Sequence, residues 1–284
     1  MTKKPSALGS ADLSSDGPSV RADESPSLGR GPGKWRKMNP DRVDRPSRRD
    51  LVTAAPAALV LAQARATGAK GASMNHVVLL GDSAFDNAAY VSGGPDVVGH
   101  LRQRLPSNWR ASLLAVDGTL ITGISQQLAR VPSDASHLVI SIGGNDALRR
   151  SSVLDAPARS VAESLSKLAD IREQFQAEYG AMVDAVLRRG LPTALCTIYD
   201  PRYPNPLQRR ISIAALAVIN DGIIRASVGR GLPMLDLRVV CDDEADFANP
   251  IEPSVQGGWK IAGAITSLLL HHEFGRARSE VFTR

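Results

Sequence analysis

Cysteine is scarce in this sequence, with only Cys196 and Cys241 among 284 residues. Neither belongs to a CxxC pair or to a Cys/His spacing of the kind that binds zinc, and two isolated thiols do not make a disulfide framework. Histidine is nearly as scarce, with five residues. The sequence therefore predicts no metal site and no bound cofactor.

An excess of positive charge is absent from most of the chain, although the formal net charge of the whole is +5. Residues 1–74 contain 13 Lys or Arg and 7 Asp or Glu, whereas residues 75–284 contain 21 and 22, a net charge of −1. The basic character thus belongs to the N-terminal part. The main body offers no basic surface that would indicate nucleic acid as a partner.

Apolar periodicity is missing from residues 1–46, which are rich in Ser, Pro, Gly and charge and are expected to be disordered. In residues 47–74, Arg48 and Arg49 precede a short apolar run that ends in small-residue triplets. This order resembles a bacterial twin-arginine export signal, and the run is too short to span a membrane. It predicts a periplasmic or secreted protein with no stable membrane span. The alternative is a cytoplasmic protein whose disordered tail leads into a small Ala-rich helix.

The leader before the twin arginines is long for an export signal, but Met38 begins a leader of more ordinary length. We therefore hypothesise that translation starts at Met38. Residues 1–37 would then come from an over-extended reading of the gene.

Short apolar runs alternate with segments of helical spacing throughout residues 75–272. Continuous runs of this kind are typical of strands buried on both faces of a parallel sheet. The pattern predicts an α/β fold with a five-stranded parallel sheet between two helical layers, followed by a C-terminal tail at 273–284. The predicted strands are 76–80, 111–116, 137–142, 193–199 and 234–240, and the predicted helices are 95–105, 123–130, 161–186, 206–229 and 257–272.

Residues capable of catalysis follow the first three predicted strands. The first strand leads into GDSAFDN, with Ser83 at a strand-to-helix turn, the second into DGTLITG with Gly118, and the third into GGNDAL with Asn145. Each motif alone is an ordinary turn, but parallel strands end at the same edge of a sheet, where ligands bind. This convergence indicates a nucleophilic serine near an amide and a backbone N–H that can stabilise an oxyanion.

The loop after the fourth predicted strand, YDPRYPNP, contains Tyr199, Arg202 and Tyr203. Aromatic and guanidinium groups at that edge suit an acyl chain, a sugar or an anionic head group, so these residues are candidate substrate contacts. Asp82, next to Ser83, is a fourth candidate. Proline-rich loops also use tyrosine for packing alone, and the sequence leaves that alternative open.

Together, GDSAFDN, DGTLITG and GGNDAL resemble the signature blocks of the SGNH, or GDSL, hydrolase family over residues 75–272. The resemblance implies a flavodoxin-like three-layer α/β/α fold and hydrolysis of acyl esters through an acyl-enzyme. It implies Ser83 as the nucleophile, with the N–H groups of Ser83 and Gly118 and the Asn145 side chain as the oxyanion hole. The implied substrate is a small acyl ester, either of a lipid or of an acetylated sugar.

The fourth block of the resemblance departs from the family pattern, Asp-x-x-His before a glycine-containing helix. Alignment of that helix places Asn249 at the aspartate position and Glu252 at the histidine position. Glu252 is then a base oriented by the Asn249 amide, a cap of the last helix, or a ligand contact. The five histidines all lie at other places in the predicted fold: His76, His100, His137, His271 and His272.

Two functions follow from this departure. The first is a serine ester hydrolase in which Glu252 replaces the missing histidine. The second is a ligand-binding protein that keeps the hydrolase fold but has lost turnover. An FMN-type electron carrier of the same topology is disfavoured, because the turn after the first strand lacks the Ser/Thr/Gly-rich phosphate cradle that flavin binding requires.

Overall fold

The computed structural model describes residues 74–284, so the predicted tail and twin-arginine-like segment lie outside the described residues. A parallel sheet of six strands forms the centre, in the order β2-β1-β3-β4-β5-β6. Its strands are β1 (Asn75–Gly81), β2 (Trp109–Leu113), β3 (His137–Ser141), β4 (Thr193–Cys196), β5 (Met234–Leu235) and β6 (Val281–Phe282).

Helices cover both faces of the sheet, which confirms the predicted three-layer α/β/α architecture. Because successive strand residues point to opposite faces, Val77 and Leu79 belong to one apolar cluster and Val78 and Leu80 to the other. Helices α1 and α7 pack on the first face, and α2, α4 and α5 on the second. The helices are α1 (Val97–Arg104), α2 (Ile124–Ala129), α3 (Gly144–Arg149), α4 (Val161–Leu187), α5 (Pro206–Val228), α6 (Leu237–Val240) and α7 (Val255–His271).

The sheet has one strand more than the sequence predicts, because the predicted C-terminal tail contributes β6, which pairs with β5. Two residues are too few to form a recognisable apolar run. The predicted fifth strand, 234–240, is also too long. It ends at Leu235, and the Asp236 carboxylate accepts the N–H of Arg238 and caps α6. A capping aspartate inside an apolar run is what separates the strand from the helix here.

The predicted helix 161–186, observed as α4, faces the core over only part of its length. Phe175, Met182 and Val186 are buried, whereas Val161 and Leu165 are exposed. The N-terminal half of α4 therefore extends past the core, next to α5. Among the described residues, α5 alone is long and apolar enough to cross a membrane by length and composition, and its C-terminal half packs in the core.

Candidate active site

Ser83 lies in the turn that follows β1, at the carboxyl edge of the sheet. This turn requires Gly81, whose φ is +136°, because a Cβ there would overlap the carbonyl oxygen of Ser141. The Asp82 N–H donates a hydrogen bond of 3.2 Å to the same oxygen. The close approach of β1 and β3 thus fixes the start of the turn that carries Ser83.

A buried side chain of α2 also holds this turn. The Gln127 amide accepts the Gly81 N–H at 2.8 Å and donates to the Gly81 carbonyl oxygen at 2.8 Å. Both polar backbone groups of Gly81 are therefore satisfied by one side chain. Sequence reasoning did not identify Gln127, because a single glutamine in a short helix has no pattern that separates it from a solvated residue.

Asp82, predicted as a substrate contact, lines the same cavity as Ser83 but is 95% buried. Its Oδ1 atom accepts the Ala84 N–H at 3.1 Å. Burial is the main cause that raises the pKa of this carboxyl to about 7, and the charge of Glu252 raises it further. Asp82 therefore supports the turn by accepting a hydrogen bond, and its ionised form is costly in the folded protein.

The raised pKa of Asp82 gives a stability prediction. Since the folded pKa of about 7 lies above the usual 3.8, the stability due to this carboxyl is complete below about pH 4 and is lost as the pH rises to about 7. Asp82→Asn keeps the acceptor for Ala84 but cannot ionise. Urea unfolding is expected to show that wild type loses about 2–3 kcal/mol more than the variant between pH 5 and pH 8. Equal losses in the two proteins would show that Asp82 does not titrate in this range.

Two of the three predicted oxyanion donors, Asn145 and Gly118, lie in segments that are hydrogen-bonded to each other. Asn145, at the start of α3, lines the cavity together with Ser83, and its Nδ2 donates to the Thr119 carbonyl oxygen at 3.2 Å. Gly118, next to Thr119, has φ +75° and is exposed, and it is not among the cavity-lining residues. The Asp146 carboxylate accepts the Ile121 N–H at 3.0 Å and adds a second link between these segments.

Glu252 is 94% buried and lines the same cavity as Ser83. Its Oε2 atom has no hydrogen-bond partner among the described residues. The pKa of Glu252 is raised to about 7, mainly by burial. A hydrogen bond from the Ser83 side chain lowers this pKa, and the negative charge of Asp117 raises it. The carboxyl next to the predicted nucleophile is thus close to half ionised at neutral pH and has a free acceptor atom.

The loop around Glu252 distinguishes between the roles considered for this residue. The N-cap of α7 is Ser254, whose side chain accepts the Gly257 N–H, so Glu252 does not cap the helix. The Asn249 Oδ1 atom accepts the N–H groups of Ile251 and Glu252, each at 3.0 Å. Asn249 therefore orients Glu252 through the backbone, whereas the sequence predicted a bond from its amide to the carboxylate.

Asn87 connects the serine loop with the loop of Glu252. Its fully buried side chain donates to the Pro253 carbonyl oxygen at 3.1 Å and accepts the Val97 N–H, at the start of α1, at 3.0 Å. One amide thereby holds three segments together beside the site. Sequence reasoning missed this residue, although it lies in the same GDSAFDN block as Ser83.

The loop after β4 contributes two tyrosines to the wall of the cavity. Tyr199 and Tyr203 line the cavity, but the Tyr199 hydroxyl donates to the Ile251 carbonyl oxygen at 2.7 Å. Arg202 is not among the lining residues, and its guanidinium lies 5.3 Å from the Phe247 ring centroid and donates to the Cys241 carbonyl oxygen at 3.3 Å. The Tyr199 hydroxyl thus joins this loop to the loop of Glu252. Substrate contact by Tyr199, Arg202 and Tyr203 stays a prediction.

The histidines lie in other parts of the structure. His76 and His137 begin β1 and β3 at the amino edge of the sheet, where burial lowers the pKa of His137 to about 4. His272 Nδ1 lies 2.6 Å from an oxygen of Glu280 in the C-terminal segment. His100 packs against α7 close to Gly258. Within residues 74–284, no group of three or more His, Cys, Asp or Glu is arranged to hold a metal ion.

The cavity that contains Ser83 and Glu252 has a volume of about 530 Å³ and extends between α4 and α5. Asp82, Ser83, Asn145 and Glu252 lie at the sheet edge of the cavity, further polar residues such as Arg150 and Gln208 lie on its helical side, and much of the remaining wall is aliphatic. The sequence did not predict this space, because apolar residues of a helical stripe are expected to pack in a core. The aliphatic wall includes Leu148, Val153, Leu154, Leu168, Ile171, Ile198, Leu207, Ile211, Leu216 and Ile219.

Comparisons with known proteins agree with the observed fold. A family model described as GDSL-like lipase/acylhydrolase matches residues 79–258. An extracellular lipase from Streptomyces rimosus has a similar structure, with 17% identity, a TM-score of 0.51, and coverage of 69% of this chain and 98% of that chain. An acetyl xylan esterase shows 15% identity and a TM-score of 0.52 over 68% of this chain and 99% of that chain. No curated protein sequence matches. At these identities the structural likeness shows the fold alone.

Proposed function

Because the chain belongs to the GDSL-like lipase/acylhydrolase family, we propose that it is a serine ester hydrolase in which Glu252 serves as the base for Ser83. The observation that carries the proposal is the buried Glu252 carboxyl, which shares the Ser83 cavity and has one oxygen without a partner among the described residues. A serine hydroxyl becomes a nucleophile only when an adjacent base accepts its proton. Glu252 is suited to that role.

The proposed reaction proceeds in two balanced steps. Ser83 Oγ attacks the ester carbonyl carbon while its proton moves to Glu252, and the N–H groups of Ser83 and Gly118 and the Asn145 amide stabilise the oxyanion. The alcohol then leaves with the proton from Glu252, and an acyl-serine remains. In the second step water attacks the acyl-serine, Glu252 accepts a proton from the water and returns it to Ser83, and the carboxylic acid is released.

The environment of Glu252 compensates for the usual weakness of a carboxylate base. A glutamate with a pKa near 4.3 is a poor acceptor for a serine proton at neutral pH. Burial raises the pKa of Glu252 to about 7, which brings it into the range in which histidine operates. An aspartate at position 249 would add a negative charge nearby, whereas Asn249 supplies a neutral acceptor for two backbone N–H groups.

A second candidate function is ligand binding without turnover. It is favoured by the partnerless Oε2 of Glu252, which equally suits a hydrogen-bond donor on a bound ligand, and by the lack of a histidine among the cavity-lining residues. In that case Ser83 would contact the ligand without forming a covalent intermediate.

Covalent labelling separates the two functions. The purified full chain is treated with a fluorophosphonate probe, the labelled peptide is identified by mass spectrometry, and turnover of p-nitrophenyl acetate and butyrate is measured in parallel. We expect the label on the peptide that contains Ser83, together with turnover. Ester turnover with the label on a different peptide, or neither labelling nor turnover, would contradict the proposal.

We further propose that the protein is exported. The support is the twin-arginine-like segment with Arg48 and Arg49 in the sequence, together with the similar fold of a lipase described as extracellular. N-terminal sequencing of the protein isolated from its native host tests the proposal, because an exported protein lacks the residues before the small-residue triplets. The precursor sequence would also show whether translation starts at Met38.

A further inference from the structure

Large apolar side chains are exposed to solvent on the three helices that contribute to the cavity wall. We call this set the apolar rim: Leu148 on α3, Val161 and Leu165 on α4, and Leu207 and Ile211 on α5. Their exposed fractions range from 40% to 77%. Single exposed apolar residues are ordinary, but five on the helices that line one cavity are typical of an interaction surface.

The apolar rim continues the wall of the cavity outward. Leu148, Leu207 and Ile211 belong both to the rim and to the cavity lining. On α4, Leu168 lines the cavity, and Leu165 lies three residues earlier, on the same face of the helix. An apolar molecule that contacts the rim therefore meets the same surface that leads to Ser83.

The composition of α5 cannot be explained by packing in the core. This helix is apolar enough to cross a membrane by composition, yet only a third of its most apolar stretch is buried. All its buried residues lie at Ile219 or later, in the C-terminal half. The N-terminal half therefore presents its apolar side chains to the cavity and to solvent.

Among the described residues, two unpaired positive charges lie on the helices that carry the rim. The segments 147–168 and 203–216 contain six Lys or Arg, of which four form ion pairs with Glu163, Glu178 or Glu244. Arg149 and Arg210 are exposed and form no ion pair with any described residue. Basic residues beside exposed apolar side chains are complementary to a surface of anionic lipid.

We propose that the apolar rim docks on an anionic lipid surface and that the cavity takes up the acyl chain of a lipid ester from that surface. The docking does not depend on catalysis, whereas the fate of the acyl chain rests on the proposed ester hydrolysis at Ser83. The cavity volume of about 530 Å³ lies within the range of small-molecule sites, roughly 300–1,000 Å³, and its aliphatic wall suits an acyl chain.

Vesicle binding tests the docking directly. The full chain with Ser83→Ala, which removes hydrolysis, is mixed with phosphatidylcholine vesicles with or without phosphatidylglycerol, and bound protein is measured by flotation. Val161→Gln with Leu165→Gln removes two rim residues that do not line the cavity. Because Gln is a good helix former, the helix is retained, and binding is expected to weaken by at least about ten-fold.

Matched variants separate the rim from other sources of binding. Val228→Gln with Val239→Gln removes two exposed apolar residues outside the rim, and binding is expected to be unchanged. Arg149→Gln with Arg210→Gln is expected to reduce the preference for phosphatidylglycerol. Residues 1–74, which are basic, are present in every variant and contribute equally to vesicle binding. A difference in binding between two variants is therefore due to the substituted residues. Equal binding by the rim variant and its control would overturn the proposal.

Turnover of the active protein separates docking from chemistry. Val161→Gln with Leu165→Gln is expected to retain turnover of dissolved p-nitrophenyl acetate and to lose at least about ten-fold of its rate on an ester embedded in anionic vesicles. If no form of the protein hydrolyses esters, the proposed function fails while vesicle binding still decides the docking. The alternative is that the rim forms a dimer interface. Dissociation of a dimer by Val161→Gln with Leu165→Gln, together with unchanged vesicle binding, would also overturn the proposal.

Discussion

Ser83→Ala is expected to lower kcat/KM for p-nitrophenyl acetate by at least about 10³-fold and to abolish labelling by a fluorophosphonate. The proposed covalent step requires the Ser83 oxygen, and a methyl group in its place forms no acyl intermediate. Since Ser83 is almost fully buried in a turn held by Gly81 and Gln127, removal of one oxygen leaves the backbone of the turn unchanged. Activity and labelling are measured on folded protein, checked by circular dichroism.

The matched control for this prediction is Ser152→Ala. Ser152 is exposed, lies in the short helix that borders the cavity, and does not line it. The same chemical change at this position is expected to leave both turnover and labelling unaltered. Substantial turnover by Ser83→Ala would show that the ester is cleaved without this nucleophile.

Glu252→Gln is expected to lower kcat by about 10²–10⁴-fold, which is the usual contribution of a general base. Glutamine has nearly the same shape, so the loop held by Asn249 and Asn87 is expected to persist, but the amide cannot accept the proton of Ser83. Glu273→Gln, an exposed glutamate beyond α7, is the control for the same substitution and is expected to have wild-type kcat. The kcat of both variants is measured from the initial rate of p-nitrophenyl butyrate hydrolysis.

The pH profile tests the same assignment independently. Glu252 acts as a base only when ionised, and its pKa is raised to about 7. In wild type, kcat/KM is therefore expected to rise with pH, reach half its maximum near pH 7, and remain level above about pH 8. The residual activity of Glu252→Gln is expected to lack this rise. A wild-type profile that is already level at pH 5 would contradict the role of Glu252 as the base.

Features of the fold and the site that depend on a short stretch of sequence are predictable from that sequence. The carboxyl end of β1 is readable because a continuous apolar run stops at Gly81, a residue that the turn requires. The same reasoning correctly places the Ser83, Asn145 and Glu252 segments at one edge of a parallel sheet. Because parallel strands end together, six of the predicted site residues line one cavity: Asp82, Ser83, Asn145, Tyr199, Tyr203 and Glu252.

The remaining features depend on contacts between residues distant in the chain. Gln127 and Asn87 act through side-chain amides that bond to Gly81 and Pro253, and no periodicity distinguishes them from solvated residues. The cavity arises because α4 and α5 extend past the core, so apolar residues such as Leu168 line a space that the sequence assigned to packing. The residues after position 272 were predicted as a tail because β6 contains only two residues.

The bonds of Asn87 imply that catalytic competence and global folding are separable properties of this protein. Because one amide joins the start of α1 to the Pro253 carbonyl oxygen, fraying of that helix end would release the segment that holds Glu252 while the central sheet stays intact. Partial openings of this kind require less free energy than complete unfolding. We therefore expect the turnover proposed for this site to be lost on heating before the central sheet melts.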